Sequence, residues 1–207
     1  MKRHQKLLPE EALPGSKERF AQSRAAAEVF VGSGYQHIGL DHFARADDPL
    51  AERQRDGRLH RNFQGYTTDE TANLIGFGPS AIGSLPGGYV QNTPQMVSYR
   101  DAIMAGRPAT VRGCAVTAED RLRGRIIERL MCDLKVDLAD VCQAHGASAE
   151  RFAVELSALD ELAQDGLVLR HGSEIAVPQE ARAFVRSVCA VFDQYQPQQE
   201  TRYSRAS

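Results

Sequence analysis

The sequence predicts an α/β chain in two parts. The first, residues 1–112, alternates helices with short strands. The second, residues 113–207, is a small, mostly helical unit with one hairpin, winged-helix-like in its order of elements. Three observations predict this. A helix-patterned run stops at Gly32-Ser33-Gly34 and is followed at once by Tyr35-Gln-His-Ile-Gly39, a short aromatic and β-branched segment. Helix, glycine stop and strand in that order form one α/β unit, the repeating element of layered and barrel folds. The segment Leu74-Ile-Gly-Phe-Gly-Pro-Ser-Ala-Ile-Gly83 places three glycines between apolar residues, the pattern of a buried strand running into a tight backbone turn. From Thr117 onward the apolar residues recur at helical spacing.

Met1 to about Gly15 is polar, contains Pro9 and Pro14, and reads as a surface connection. Met1–Glu11 has charges but no apolar core followed by a small-residue cleavage site, so it is not expected to be a secretory signal. Ser16 is the expected cap of a helix to Val31, with Phe20, Ala27 and Phe30 among charged residues. Asp47-Asp48-Pro49 starts a short helix to about Asp56, because carboxylates and then proline suit a helix amino terminus, and Gly57 closes it. His60 to Thr68 is polar-aromatic without clean periodicity. A turn at Pro86-Gly87-Gly88 and a brief Tyr89-Val-Gln91 precede Thr93-Pro94, which cap a helix to Ala105.

In the second part, Thr117-Ala-Glu-Asp120 is a threonine cap with acidic residues in the first turn, and Leu122, Ile126, Ile127, Leu130, Met131 and Leu134 are its buried stripe. Helices over 138–145 and 149–164 follow, the latter burying Phe152, Leu156, Leu159 and Leu162. Leu167-Val-Leu169 and Ile175-Ala-Val177 flank His171-Gly172 as a hairpin. Pro178 leads into a last helix with Phe184, Val185, Val188 and Phe192 inward, and Gln194–Gln199 reads as a frayed tail.

Composition narrows the function. An apolar fraction of 42% and a charged fraction of 25% allow an ordinary core, and a net charge of -2 gives no global attraction to nucleic acid or anionic lipid. The helix over 149–164 carries Glu150, Glu155, Asp160 and Glu161 against Arg151, a balance that repels phosphate. No apolar run approaches the roughly 20 residues that span a bilayer. The expectation is a cytoplasmic protein with no nucleic-acid or membrane partner. Cys114, Cys132, Cys142 and Cys189 include no closely spaced pair of the kind that metal and redox motifs use, so no metal ligand is assigned; buried inert thiols are expected.

The chemistry concentrates between Gly39 and Gly83. Asp41 and His42 directly follow a short strand, where barrel strands place catalytic groups; either they take part in substrate binding or proton transfer, or one of them satisfies loop backbone groups. His60 and Arg61 suit a carboxylate, since a guanidinium matches it bidentately, and suit a plain surface equally. Gln64 both donates and accepts, as a ligand with an ammonium and a carboxylate needs, and Phe63 offers an apolar face to a ring. The alternative is a core phenylalanine beside a glutamine that braces a loop.

The runs Gly-Tyr-Gln-His-Ile-Gly-Leu-Asp-His-Phe-Ala (34–44), Leu-His-Arg-Asn-Phe-Gln-Gly-Tyr-Thr-Thr (59–68) and Leu-Ile-Gly-Phe-Gly-Pro-Ser-Ala-Ile-Gly (74–83) resemble the carboxyl-terminal part of the oxygen-independent coproporphyrinogen III oxidases, radical S-adenosylmethionine enzymes. Val-Thr-Ala-Glu-Asp-Arg-Leu-Arg (116–123), Ile-Ile-Glu-Arg-Leu-Met-Cys-Asp (126–133) and Val-Cys-Ala-Val-Phe-Asp-Gln-Tyr (188–195) extend the resemblance. It implies the carboxyl-terminal portion of a partial (β/α) barrel in residues 1–112, followed by the helical domain in 113–207. The implied reaction is oxidative decarboxylation of two propionates of coproporphyrinogen III, giving protoporphyrinogen IX in haem biosynthesis. The implied cofactors are two S-adenosylmethionine molecules and a 4Fe-4S cluster. Phe63, Gln64 and Ile82 match positions that help bind S-adenosylmethionine in that family, while Asp41, His42, His60 and Arg61 remain substrate candidates and no catalytic residue is assigned.

Two departures stand out. The family's Cys-x3-Cys-x2-Cys cluster motif is absent, and Gly124 stands where many relatives carry arginine. The expectation is therefore a chain inactive by itself, working with a separate amino-terminal half; the alternative is a non-catalytic porphyrin- or partner-binding protein of the same descent. A barrel cut across its middle is also expected to expose an unpaired sheet edge and apolar faces.

Overall fold

The computed structural model describes residue 9 and residues 12–195; most of the amino-terminal connection and, from residue 196, most of the Gln-rich tail lie outside the described residues. Helix α1 (Ser16–Gly32) begins at Ser16 itself: Gly15 holds the cap position and no side chain caps it. None of its residues is buried, yet Phe30 stacks on Phe43 at 4.7 Å and Phe20 meets Phe184 at 5.9 Å. Strands β1 (Tyr35–Ile38) and β2 (His42–Arg45) form an antiparallel hairpin. Helix α2 (Pro49–Arg55) starts as expected, with the Asp48 carboxylate accepting from the Leu50 amide at 2.8 Å.

The unpatterned stretch 60–68 is a second hairpin, β3 (His60–Asn62) with β4 (Gly65–Thr67). The glycine-rich segment is not a buried strand. Leu74 alone bridges to Ser84, and the chain then bows outward, leaving Ile75 68% and Phe77 89% exposed. Its backbone is held instead by the Asn92 amide, which donates to the Gly76 and Gly78 carbonyls at 3.1 Å, and by the Tyr99 hydroxyl, which accepts from the Gly78 amide at 3.0 Å. β5 (Ile82–Leu85), β6 (Gly88–Asn92) and β7 (Thr110–Ala115) make an antiparallel sheet in that order, with α3 (Met96–Met104) between β6 and β7. Thr93 does not cap α3: it is buried, its hydroxyl bonds the Gln95 side chain at 2.7 Å, and Gln95 occupies the cap position.

Helix α4 (Ala118–Asp133) opens on a full capping box. Thr117 Oγ1 accepts from the Asp120 amide, and the Asp120 carboxylate accepts from the Thr117 amide at 2.7 Å. β8 (Lys135–Asp137), α5 (Leu138–Ala144), a 3-10 turn over Ala149–Phe152 and α6 (Ala153–Gln164) follow. β9 (Leu169–His171) and β10 (Glu174–Ala176) form a hairpin where one was predicted, but its first strand lies two residues later and its second one residue earlier than expected, with His171 in the strand. β8 pairs with β10 to complete a three-stranded sheet. The last helix is split into a 3-10 turn (Gln179–Phe184) and α7 (Val185–Ala190). The expected winged-helix-like order of helix, helix, helix, hairpin, helix is present, with the unpredicted strand β8 inserted after the first helix.

The mixed α/β class is as expected, with one difference in detail: among the described residues every strand pair is antiparallel. β1–β2, β3–β4, β5–β6 and β9–β10 are hairpins closed by loops of two or three residues, too short for the crossover a parallel pair needs, while β6–β7 and β8–β10 are antiparallel across longer connections. Two apolar cores result. The larger gathers α4, α5, α6, α7 and the β8–β10 sheet around Ile126, Leu130, Phe152, Leu159, Ile175 and Phe192. The smaller gathers Ile38, Ala44, Ala51, Leu59 and Tyr66 against Cys132 of α4. Cys132, Cys142 and Cys189 are buried, while Cys114, on β7, is exposed.

Candidate functional site

The site is built around the β3–β4 reversal. Phe63 and Gln64 form its two-residue tip, and Asn62 Oδ1 accepts from the Gln64 amide at 2.8 Å, an Asx turn that fixes the bend. Among the described residues the Gln64 side chain has no protein partner, and Phe63 is 51% exposed. Phe63 meets the Tyr89 ring of β6 edge-on at 5.2 Å. Ile82 pairs with Gln91, and Ser84 with Tyr89, in the β5–β6 ladder. Residues two apart on a strand, and residues directly opposite across a ladder, share a face. Ile82 therefore lies on the sheet face that Phe63 packs against.

The hairpin is fastened to α4 by one carboxylate. Glu128 Oε1 takes His60 Nδ1 at 2.9 Å and the Arg61 amide at 3.4 Å, while Oε2 takes Arg125 at 2.6 Å. An ionised carboxylate only accepts, so His60 Nδ1 carries the proton in this contact. Burial alone would raise the Glu128 pKa, but the His60 and Arg125 bonds outweigh it and hold it below the ordinary glutamate value. A depressed folded-state pKa contributes stability above the unfolded value near 4.5, and that contribution is lost as the pH falls through the folded value. Glu128→Gln is expected to flatten the dependence of the urea midpoint on pH between about 3 and 5; an unchanged acid limb would show that this carboxylate does not carry the linkage.

Behind the hairpin stands Tyr66 of β4. Its hydroxyl accepts from the Leu40 amide at 2.7 Å and donates to the Met131 carbonyl at 3.0 Å, and burial pushes its pKa up, so it stays a neutral phenol. Its ring occupies the space over Gly39, where a Cβ would lie 2.0 Å from it and where φ is +55°; both features demand glycine. Arg182 donates to the Gly39 carbonyl, and the Arg61 guanidinium lies 5.5 Å over the Tyr66 ring. Asp41 and His42 stand at the β1–β2 reversal, bonded to each other at 2.9 Å and about half exposed; the His42 ring packs edge-on to Tyr66.

An open cleft of about 680 Å³ lies between this hairpin, the β5–β6 strands and α4. His60, Arg61 and Phe63 line it. Gln64, Ile82, Asp41 and His42 are not among its lining residues. Sequence reasoning missed Tyr66, Tyr89, Arg121, Arg125 and Glu128. For the last three a signal existed: 121, 125 and 128 are spaced four and three apart, hence on one helical face. Tyr66 had none, because its partners lie 26 and 65 residues away.

Two cofactor classes can be tested against these residues. Phe63 and Gln64, an exposed aromatic ring beside an unpaired amide, fit an adenosyl amino acid. A 4Fe-4S cluster does not fit the described residues: none of their His, Cys, Asp and Glu side chains gather in a group of three or more that would hold a metal ion. Burial pushes Cys132 and Cys189 up to about 12, so both stay protonated, whereas cluster ligation needs thiolates.

Residues 116–184 match the family described as the HemN C-terminal domain. The oxygen-independent coproporphyrinogen III oxidase of Bradyrhizobium diazoefficiens is 46% identical over 205 residues, covering 99% of this chain and 46% of that protein. That of Cereibacter sphaeroides is 39% identical over 207 residues, covering 100% and 46%. Among solved structures, coproporphyrinogen III oxidase (HemN) from Escherichia coli, a radical SAM enzyme, superimposes with a TM-score of 0.86 at 38% identity, over 92% of this chain and 44% of that one. The chain thus spans about half the length of the relatives it matches.

Proposed function

Since this chain is homologous, over nearly all its length, to oxygen-independent coproporphyrinogen III oxidases of the radical SAM class, we propose that it supplies the cofactor-facing and substrate-facing wall of such an oxidase. The observation that carries this reading is the Phe63–Gln64 tip, held by Glu128 at the mouth of an arginine-bearing cleft. Residues 1–112 form the wall, and residues 113–207 the helical unit that backs it.

In this reading Phe63 and Ile82 offer apolar surface to the adenosine of S-adenosylmethionine, and the Gln64 amide pairs with the methionyl ammonium and carboxylate. Bound there, S-adenosylmethionine would supply hydrogen-abstraction chemistry toward a propionate side chain. Arg61 and His60 hold a propionate carboxylate of coproporphyrinogen III, and the hairpin and α4 keep water from the reacting edge. Asp41 and His42, which do not line the cleft, have no contact with substrate in this reading. A cluster would be held by the portion of the relatives that this chain does not match, and the reaction would take place in the cytoplasm. Among the described residues no helix is long and apolar enough to cross a membrane.

The test is reconstitution. This chain and the amino-terminal portion of the Bradyrhizobium relative are loaded anaerobically with iron and sulfide, then given S-adenosylmethionine, coproporphyrinogen III, a low-potential reductant and an electron acceptor. Divinyl product is expected from the mixture and from neither part alone. No product from the mixture, under conditions where the intact relative turns over, rejects the proposal.

A further inference from the structure

We propose that Gly124 joins two neighbouring cavities into one groove, and that Arg121 and Arg61 hold ionised carboxylates of a tetrapyrrole lying in it. This rests on the oxidase reading above and extends it to the ligand's seat.

Gly124 stands in the middle of α4 and is exposed. Its φ is not in the left-handed region, and a Cβ built on it would meet nothing within 4 Å. Neither conformation nor close packing requires glycine there, and in a helix interior glycine is less stable than alanine. What the missing side chain does is keep a ridge low. Gly124 borders the cleft of about 680 Å³ and also a second cavity of about 270 Å³ that reaches Phe192 and Tyr195. The two share Tyr89, Val116, Asp120 and Ile127 as well as Gly124, so the boundary between them is a strip of α4 and β6 whose crest lacks a side chain.

The charges on this groove are unequally committed. Glu128 is engaged by His60 and Arg125, Glu70 by Arg53 and Arg58, Asp120 by the Thr117 amide and hydroxyl and by Gln194, and Asp69 by Thr71. Arg61 and Arg121 have no carboxylate within 4 Å among the described residues; Arg121 spends one N–H on the Pro86 carbonyl at 2.8 Å and keeps the rest of its fork. Tyr89, Val116 and Ile127 give the floor an apolar surface. An apolar floor with two uncommitted guanidinium groups is complementary to a macrocycle that carries ionised carboxylates on flexible arms.

The test titrates the full chain with coproporphyrin III, followed by fluorescence, with S-adenosylmethionine binding measured in parallel by calorimetry. Wild-type protein is expected to bind the porphyrin. Gly124→Leu is expected to weaken it about tenfold or more, the scale of a filled pocket. Arg121→Gln is expected to weaken it about fivefold to tenfold, with no effect on the tetramethyl ester. Gly124→Ala is expected to raise the melting temperature by about 2–4 °C, which shows that the helix tolerates a side chain there. Unchanged porphyrin affinity in Gly124→Leu, an ester bound as tightly as the acid, or no porphyrin binding by the wild type each overturns the proposal. The calorimetric arm separates the two readings: S-adenosylmethionine bound normally by a protein that ignores porphyrin removes the groove and leaves the cofactor wall standing.

Discussion

Replacing Arg129 by alanine is expected to destabilise the fold by about 3–5 kcal/mol, the cost of breaking a buried ion pair on one side. Arg129 is 8% exposed. It donates to the Gly57 carbonyl at 2.6 Å, to the Leu59 carbonyl, and to the Asp133 carboxylate at 2.8 Å. Those carbonyls belong to the segment that carries Leu59 into the smaller core, while Arg129 sits on the helix of the larger one. Truncation leaves two carbonyls and a carboxylate without a donor in a place water hardly reaches. Burial already pushes the Asp133 pKa up in spite of the nearby arginine, and losing that charge should push it further in the same direction. Against a typical total of about 5–15 kcal/mol, the loss is large. Urea unfolding measures it. Arg129→Lys should recover only part, since an ammonium does not reproduce the fork; a midpoint within error of wild type for Arg129→Ala would show that the two cores are not joined through this side chain.

Phe63→Ala and Gln64→Ala should each weaken S-adenosylmethionine binding about 5–100-fold in the reconstituted assembly, while leaving the melting temperature almost unchanged. The upper figure corresponds to roughly 3 kcal/mol, the loss expected when a ligand's charged group forfeits its hydrogen-bond partner. Stability is spared because both residues stand at an exposed hairpin tip whose bend is set by the Asn62 side chain, not by their own. Phe63→Leu keeps apolar area but loses the ring and its contact with Tyr89, so it should fall between wild type and alanine. Calorimetric titration decides. Wild-type affinity in both alanine variants would place the cofactor elsewhere and return Phe63 to the role of a packing residue against Tyr89.

Much of the fold was legible because its signals are local. The Thr117–Asp120 capping box, the Asp48-Pro49 helix start and the apolar stripe from Leu122 to Leu134 act within one to four turns of chain, and each element appears where its signal lies. The errors are also physical. Ser16 resembles a cap, but the helix begins on it. β3, β4 and β8 are three residues long and polar or glycine-bearing at most positions, unlike the apolar runs around the equally short β9 and β10, so nothing marked them as strands. The glycine-rich run reads as a buried strand because Ile75 and Phe77 are apolar, yet both face outward, since the main chain between them is held by Asn92 and Tyr99 from beyond the segment.

The candidate site divides in the same way. Sequence by itself determined the residue types, the family resemblance carried by 34–44, 59–68 and 74–83, and the absence of a closely spaced cysteine motif, all of which are properties of the linear chain. Only the tertiary structure decided which of those residues meet. It joins His60 to Glu128 across 68 residues, Tyr66 to Met131 across 65 and Arg182 to Gly39 across 143, and it leaves Asp41 and His42 out of the lining of the cleft. Contacts at such separations come from the packing of one element on another, and no local period or cap encodes them.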